Sequence, residues 1–155
     1  VKLEKIRFFP MRSSLTKRFK YEALIGIGGN EGDVKKRFRN LYRFFLNDPR
    51  LRIQESSPVL QNPPFGYYEQ NDFHNAVVVI ETSLHVKALL TMLLHVEKRF
   101  KRVRRFKNGP RTLDLDIIFF DRLRRNDSRL TLPHPRWSER LSVVVPLFML
   151  KRFKG

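Results

Sequence analysis

The chain contains no cysteine, which excludes disulfides, thiolate metal sites and a cysteine nucleophile. No apolar run approaches the roughly 20 residues that a membrane-spanning helix needs. Acidic residues are few: 15 Asp and Glu stand against 32 Lys and Arg, a net charge of +17 over 155 residues. No internal repeat or interdomain linker breaks the sequence. What is present suits one ordinary domain, since 41% of the residues are hydrophobic and can bury a real core. The cationic excess predicts a partner or substrate with several negative charges. Nucleic acid, an acidic membrane surface and a polyphosphate metabolite all qualify on charge alone.

Residues 1–20 carry seven Lys and Arg against one Glu. That is the profile of a transit peptide, but Ile6, Phe8 and Phe9 are able to pack. An added edge strand or a basic arm is the preferred reading, with one domain over 21–155. The apolar run Ala23, Leu24, Ile25 and Ile27 ends in Gly28-Gly29-Asn30-Glu31-Gly32-Asp33, a strand entering a turn. Asp33 can cap a helix through Val34, Phe38, Leu41 and Phe45, which Pro49 prevents from continuing. Leu51 to Ser57 reads as a strand, Pro58 to Asp72 as a loop, and Phe73 to Glu81 as a central strand. Thr82 or Ser83 opens a second helix along Val86, Leu89, Leu90, Leu93 and Phe100. Thr112 to Phe120 is a further strand, and an apolar run covers Leu141 to Leu150. The order β-α-β-β-α-β fits an α+β fold, a ferredoxin-like sandwich with an antiparallel sheet and its helices on one face.

The glycine turn misses both the dinucleotide fingerprint and the P-loop pattern, because its spacing is wrong and no Gly-Lys-Ser/Thr follows. A tight strand-to-helix turn accounts for it better. Leu113-Asp114-Leu115-Asp116-Ile117 is more informative, because alternation puts Asp114 and Asp116 on one face of a strand. Two adjacent carboxylates either face solvent, pair with arginine, or hold a divalent cation. Mg²⁺ bound through two carboxylates keeps open positions for phosphate oxygens. The neighbouring tract Lys98 to Lys107 holds seven cations in ten residues, and Arg111 precedes Asp114 by three. Two or three cations would suit a solvated helix end; seven beside paired carboxylates suit a metal-triphosphate site.

Glu97 falls on the apolar stripe of its own helix and needs a partner there, an arginine or a cleft-facing role. Asn62, Pro63, Phe65, Phe73 and Asn75 gather aromatic faces and amides that suit a flat nitrogen heterocycle. The histidines form no metal pattern. His134 could reach a phosphate through a ring N–H, and Trp137 reads as packing.

Gly109-Pro110-Arg111-Thr112-Leu113-Asp114-Leu115-Asp116-Ile117 resembles the signature of the 6-hydroxymethyl-7,8-dihydropterin pyrophosphokinase family. Ile25 to Asn30, Ser56 to Asn75 and Leu130 to His134 with Arg140 agree in the same order, so the similarity covers about residues 22–150. The resemblance implies transfer of pyrophosphate from ATP to the hydroxymethyl group of the dihydropterin, releasing AMP, in folate synthesis. It implies two Mg²⁺ ions on Asp114 and Asp116, with Arg102 and Arg111 acting on the transferred group. Glu97, Arg104, Ile117, Thr131, His134 and Arg140 would line the ATP site. Asn62, Pro63, Phe65, Phe73 and Asn75 would form the pterin pocket. Asn108 stands where a stacking tryptophan is expected, with Phe106 as its substitute, and Ser142 replaces a second aromatic. A cytoplasmic monomer is expected, with no nucleic-acid or membrane partner. The rival from another class is an RNA-binding module, which the absence of an aromatic RNP-like block disfavours.

Overall fold

The computed structural model describes residues 1–14, 16–64, 66–100 and 109–153. Over the described residues it is an α+β structure built on an antiparallel sheet with three α-helices. In chain order the elements are β1 (Lys2–Glu4), β2 (Met11–Arg12), β3 (Tyr21–Gly29), α1 (Val34–Leu46), β4 (Leu51–Ser56), β5 (Val59–Asn62) and β6 (Phe73–Thr82). There follow α2 (Val86–Arg99), β7 (Asp114–Phe120), β8 (Arg125–Asn126), β9 (Thr131–Leu132) and α3 (Leu141–Phe148). The main sheet runs β1-β5-β6-β3-β7, and β6 also pairs β4, which carries β2. Every pairing is antiparallel.

Alternation along these strands generates two different faces. Ala23, Ile25 and Ile27 of β3, Ala76, Val78 and Ile80 of β6, and Leu115 and Ile117 of β7 share a core with α1 and α2. The apolar stripes supply the helix side: Phe38, Leu41 and Phe45 from α1, and Val86, Leu89 and Leu93 from α2. Asp33 caps α1, its carboxylate accepting from Lys36 N–H at 3.1 Å. On the opposite face Leu24, Val77, Val79 and Ile118 pack with Val143, and Phe119, Trp137, Leu147, Leu150 and Phe153 lie against them. A β-bulge in the β3–β7 pairing sends Ile118 and Phe119 to this same face, because Leu24 opposes Phe119 while Ile25 opposes Ile117.

Three expectations change, and the added edge strand expected of residues 1–20 is present. The helices are not confined to one face, since α3 covers part of the second; the run Leu141 to Leu150 is apolar enough to be drawn onto it. Residues 59–62 are a strand rather than loop, held between β1 and β6. Helix α2 starts at Val86 after His85, while Thr82 ends β6 and its Oγ1 accepts the Leu84 amide instead. The 1–20 segment adds short strands at both β5 and β4, and Phe9 is fully buried against Phe38 and Tyr42. Among the described residues, no helix is long and apolar enough to cross a membrane.

Candidate active site

The second face is apolar only at one end. Toward the other end the paired residues become Val77, Gly26 and Asp116, then Asn75, Gly28 and Asp114, in two rows across β6, β3 and β7. Partners directly opposite share a face, so Asn75 and Asp114 flank Gly28 about two strand spacings, roughly 10 Å, apart. Asn62 and Phe73 pair one step further along β5 and β6. The two glycines therefore leave a floor without side chains between the amide and the carboxylates. A Cβ at Gly28 would come within 2.5 Å of Asn75 Nδ2. Asn75 thus rests its amide on bare backbone, and Nδ2 lies 3.5 Å from the Ile27 carbonyl.

Asp114 and Asp116 project from this face, Asp116 open to solvent and Asp114 half-buried. Partial desolvation and then the charge of Asp114 raise the Asp116 carboxyl above its ordinary pKa, opposed by His134, Arg140 and Arg111. These five groups consequently form one electrostatic cluster. Arg111 Nε is 3.1 Å from Asp114 Oδ2, off the hydrogen-bond line. Its guanidinium carbon is 5.9 Å from the Phe73 ring centroid, joining the carboxylate side to the aromatic side. His134 is brought alongside β7 by its backbone N–H, which donates to Ile118 O at 2.8 Å. Its ring Nδ1 is buried and has no hydrogen-bond partner among the described residues. Arg140 opens α3.

Two oxygen-donor carboxylates side by side, with partial desolvation and the Asp114 charge raising the pKa of Asp116, fit a hard divalent cation. They are too few to enclose it, since no group of three or more candidate metal ligands occurs among the described residues. A cation held there would keep positions for phosphate oxygens and water.

The remaining expected residues divide clearly. Glu97 is 5% exposed, and its Oε2 accepts the Leu115 N–H at 2.7 Å, the amide between the two aspartates. It supports the strand from the α2 side of β7. Ile117 puts its side chain into the helix-side core, so only its backbone is available to a nucleotide. Thr131 lies in the β8–β9 hairpin, its Oγ1 3.3 Å from Asn126 Oδ1. Asn62 is half-buried, and Pro63 is exposed at the end of β5. Trp137 packs edge-on against Phe119 at 5.0 Å. Phe65, Arg102, Arg104, Phe106 and Asn108 lie outside the described residues. Ser142 is half-buried in the first turn of α3.

Two contributors escaped the sequence reading. Arg37 of α1 donates from Nη1 to Glu31 O at 2.7 Å and Thr112 O at 2.8 Å, pinning the approach to β7. Asn30 bonds to the Arg111 backbone from across the glycine turn. Nothing in local periodicity marks either residue, because both act on segments more than 70 positions away.

This α+β chain gathers two carboxylates, an amide and two arginines at the polar end of one face of an antiparallel sheet, a set of groups chemically suited to a cation and a phosphorylated ligand. The model of the 7,8-dihydro-6-hydroxymethylpterin-pyrophosphokinase (HPPK) family matches residues 24–152, and the chain belongs to that family. It is 50% identical over 147 residues to the 2-amino-4-hydroxy-6-hydroxymethyldihydropteridine pyrophosphokinase of Campylobacter jejuni, covering 95% of this chain and 94% of that one. It is 43% identical to the protein of the same name from Helicobacter pylori, over 91% and 88% of the two chains. The Bacillus subtilis counterpart is 36% identical over 81% and 75%.

Proposed function

We propose that the open end of the β3–β6–β7 face is where this chain carries out its family's reaction, with Asp114 and Asp116 holding Mg²⁺ against ATP. The activity is transfer of the pyrophosphoryl group of ATP to hydroxymethyldihydropterin, a step of folate biosynthesis. The observation that carries the assignment of the site is the row Asn75–Gly28–Asp114. The Asn75 amide and the Asp114 carboxylate share one face across a bare backbone floor, which supports a ring on one side and phosphates on the other.

In this reading Asn75 and Asn62 hydrogen-bond the pterin edge, and the Phe73 ring covers a face of it. Pro63 walls the pocket, with Phe65 and Phe106 contributing from outside the described residues. Thr131, His134, Arg140 and the Ile117 backbone meet the nucleotide, and Arg102 and Arg104 join Arg111 around the phosphates. The hydroxymethyl oxygen attacks the β-phosphorus of ATP; the new O–P bond forms as the bond to the α-phosphate oxygen breaks, and AMP leaves. Arg111 and Arg140 stabilise charge on the transferred and leaving oxygens. The two rows of the sheet fix the approach, and holding reactants in line supplies a large share of the rate. Mg²⁺, two ions in the family pattern, would be held by Asp114 and Asp116 and would supply charge neutralisation at the phosphates. No step requires a covalent intermediate on the protein. The βαββαβ frame is taken as ferredoxin-like, residues 21–155 as the single pyrophosphokinase domain, and the enzyme as a cytoplasmic monomer.

The test is AMP release from Mg-ATP, assayed with and without 6-hydroxymethyl-7,8-dihydropterin and with the divalent cation chelated. AMP is expected only when pterin and cation are both present. Pterin-independent behaviour combined with tight, salt-sensitive RNA binding would overturn the reading in favour of a nucleic-acid module.

A further inference from the structure

Asn30 ends the glycine turn and is 3% exposed. A buried amide must satisfy its polar atoms within the protein, and this one does so with two separate segments. Its Nδ2 donates to Gln70 Oε1 and to Asn71 O, both at 2.9 Å. Its Oδ1 accepts the Arg111 N–H at 2.8 Å, while its own N–H donates to Arg111 O at 2.9 Å. Gln70 is turned toward it by a bond from Nε2 to Tyr67 O at 2.7 Å. The segment 66–72 leads directly into Phe73 and Asn75. Arg111, on the other side, contacts Asp114 and reaches over Phe73.

We propose that Asn30 is a positioning residue for the transfer, registering the pterin side of the cleft against Arg111 on the phosphate side. This rests on the functional reading above and deepens it. The amide touches neither substrate. Its donors hold the segment that presents the ring-binding residues, and its acceptor holds the arginine, so one rigid group sets the separation of the two halves. Small errors in that separation are costly, since a displacement of about 1 Å at a reacting pair can lower the rate by about 10²-fold. Packing alone would accept a neutral residue of similar volume; a coupling role needs the amide donors.

Asn30→Asp separates the two functions. It keeps an oxygen acceptor for the Arg111 N–H and replaces the donor by an oxygen facing Gln70 Oε1 and Asn71 O. Turnover is expected to fall by about 10- to 100-fold with a raised pterin KM. Equilibrium binding of a non-hydrolysable ATP analogue should stay within about twofold, as the aspartates and arginines are retained. Gln70→Ala tests the same link from the other end and leaves the Asn30–Arg111 bonds in place. It is expected to raise the pterin KM by about three- to tenfold at an unchanged thermal midpoint. The double variant should be no worse than Asn30→Asp alone, because both substitutions break one link.

A wild-type pterin KM and kcat in Gln70→Ala would overturn the proposal. So would fully additive effects, or losses in ATP affinity that simply follow thermal stability. Failure of the wild-type protein to release AMP with pterin present would instead strike the functional reading, since every Asn30 contact is intact there.

Discussion

The two ends of one sheet face behave as different materials. At one end Leu24, Val79 and Ile118 meet Val143 of α3, with Trp137 and Phe153 nearby, and water is excluded. At the other, the same three strands present Asn75, Gly28 and Asp114. The same strands pair on both sides of the β3–β7 bulge, so beyond the extra apolar residue that the bulge adds, the difference lies in side chains. The apolar end attracts a helix; the polar end repels one, because burying a carboxylate pair under α3 would cost far more than the contact would return. The cleft is therefore the part of a sheet face that its own residues prevent the protein from covering.

That contrast can be broken at its polar end with the largest effect. Asp116→Ala should lower kcat by about 10³-fold or more, consistent with losing several kcal/mol of metal-based charge stabilisation. The fold should persist, because Asp116 lies outside the apolar core and removing it relieves the desolvation and the Asp114 repulsion that raise its pKa. Steady-state turnover together with a thermal melt distinguishes the two effects, and near-normal turnover would remove Asp116 from the metal site.

The apolar end should respond oppositely. Leu24 is fully buried between Val79 and Phe119, so Leu24→Ala should destabilise by about 3 kcal/mol through the lost burial and the cavity left behind. Chemical denaturation measures it, and the KM values of the residual folded enzyme should be close to wild type. A large change in ATP affinity would mean that the two ends are not independent.

The smallest effect sharpens the boundary. Gly28→Ala pushes only the far end of the Asn75 side chain, whereas a Cβ at Gly29 would lie 2.5 Å from the Thr112 carbonyl, which is backbone. Gly28→Ala is expected to raise the pterin KM by about tenfold with less than about 1 kcal/mol of destabilisation. Gly29→Ala should instead cost about 2 kcal/mol of stability, as overpacking against backbone does. Equal stability losses in both variants would show that the floor under Asn75 is ordinary packing.

Much of the frame was readable from local pattern. Val34, Phe38, Leu41 and Phe45 at helical spacing before a proline define α1 by themselves, and the apolar run of β6 marks a central strand. Asp114 and Asp116 share a face by alternation alone. Other features were not readable because their cause is not local. Residues 59–62 look like loop beside so many prolines, and become a strand only because β1 and β6 supply partners on both sides. Glu97 on an apolar stripe signalled a buried carboxylate, but not that its partner would include a backbone amide 18 positions away.

The sequence by itself determined the family, the paired carboxylates and the concentration of cations beside them, because these reside in residue identity and in the twofold repeat of a strand. Only the tertiary structure decided that Asn75 and Asp114 stand across a bare glycine floor, that α3 packs on the apolar end of that face, and that Asn30 joins the segment before Phe73 to Arg111. Those facts depend on which strands become neighbours and in what register. Register is set by the whole buried face at once, not by any single segment.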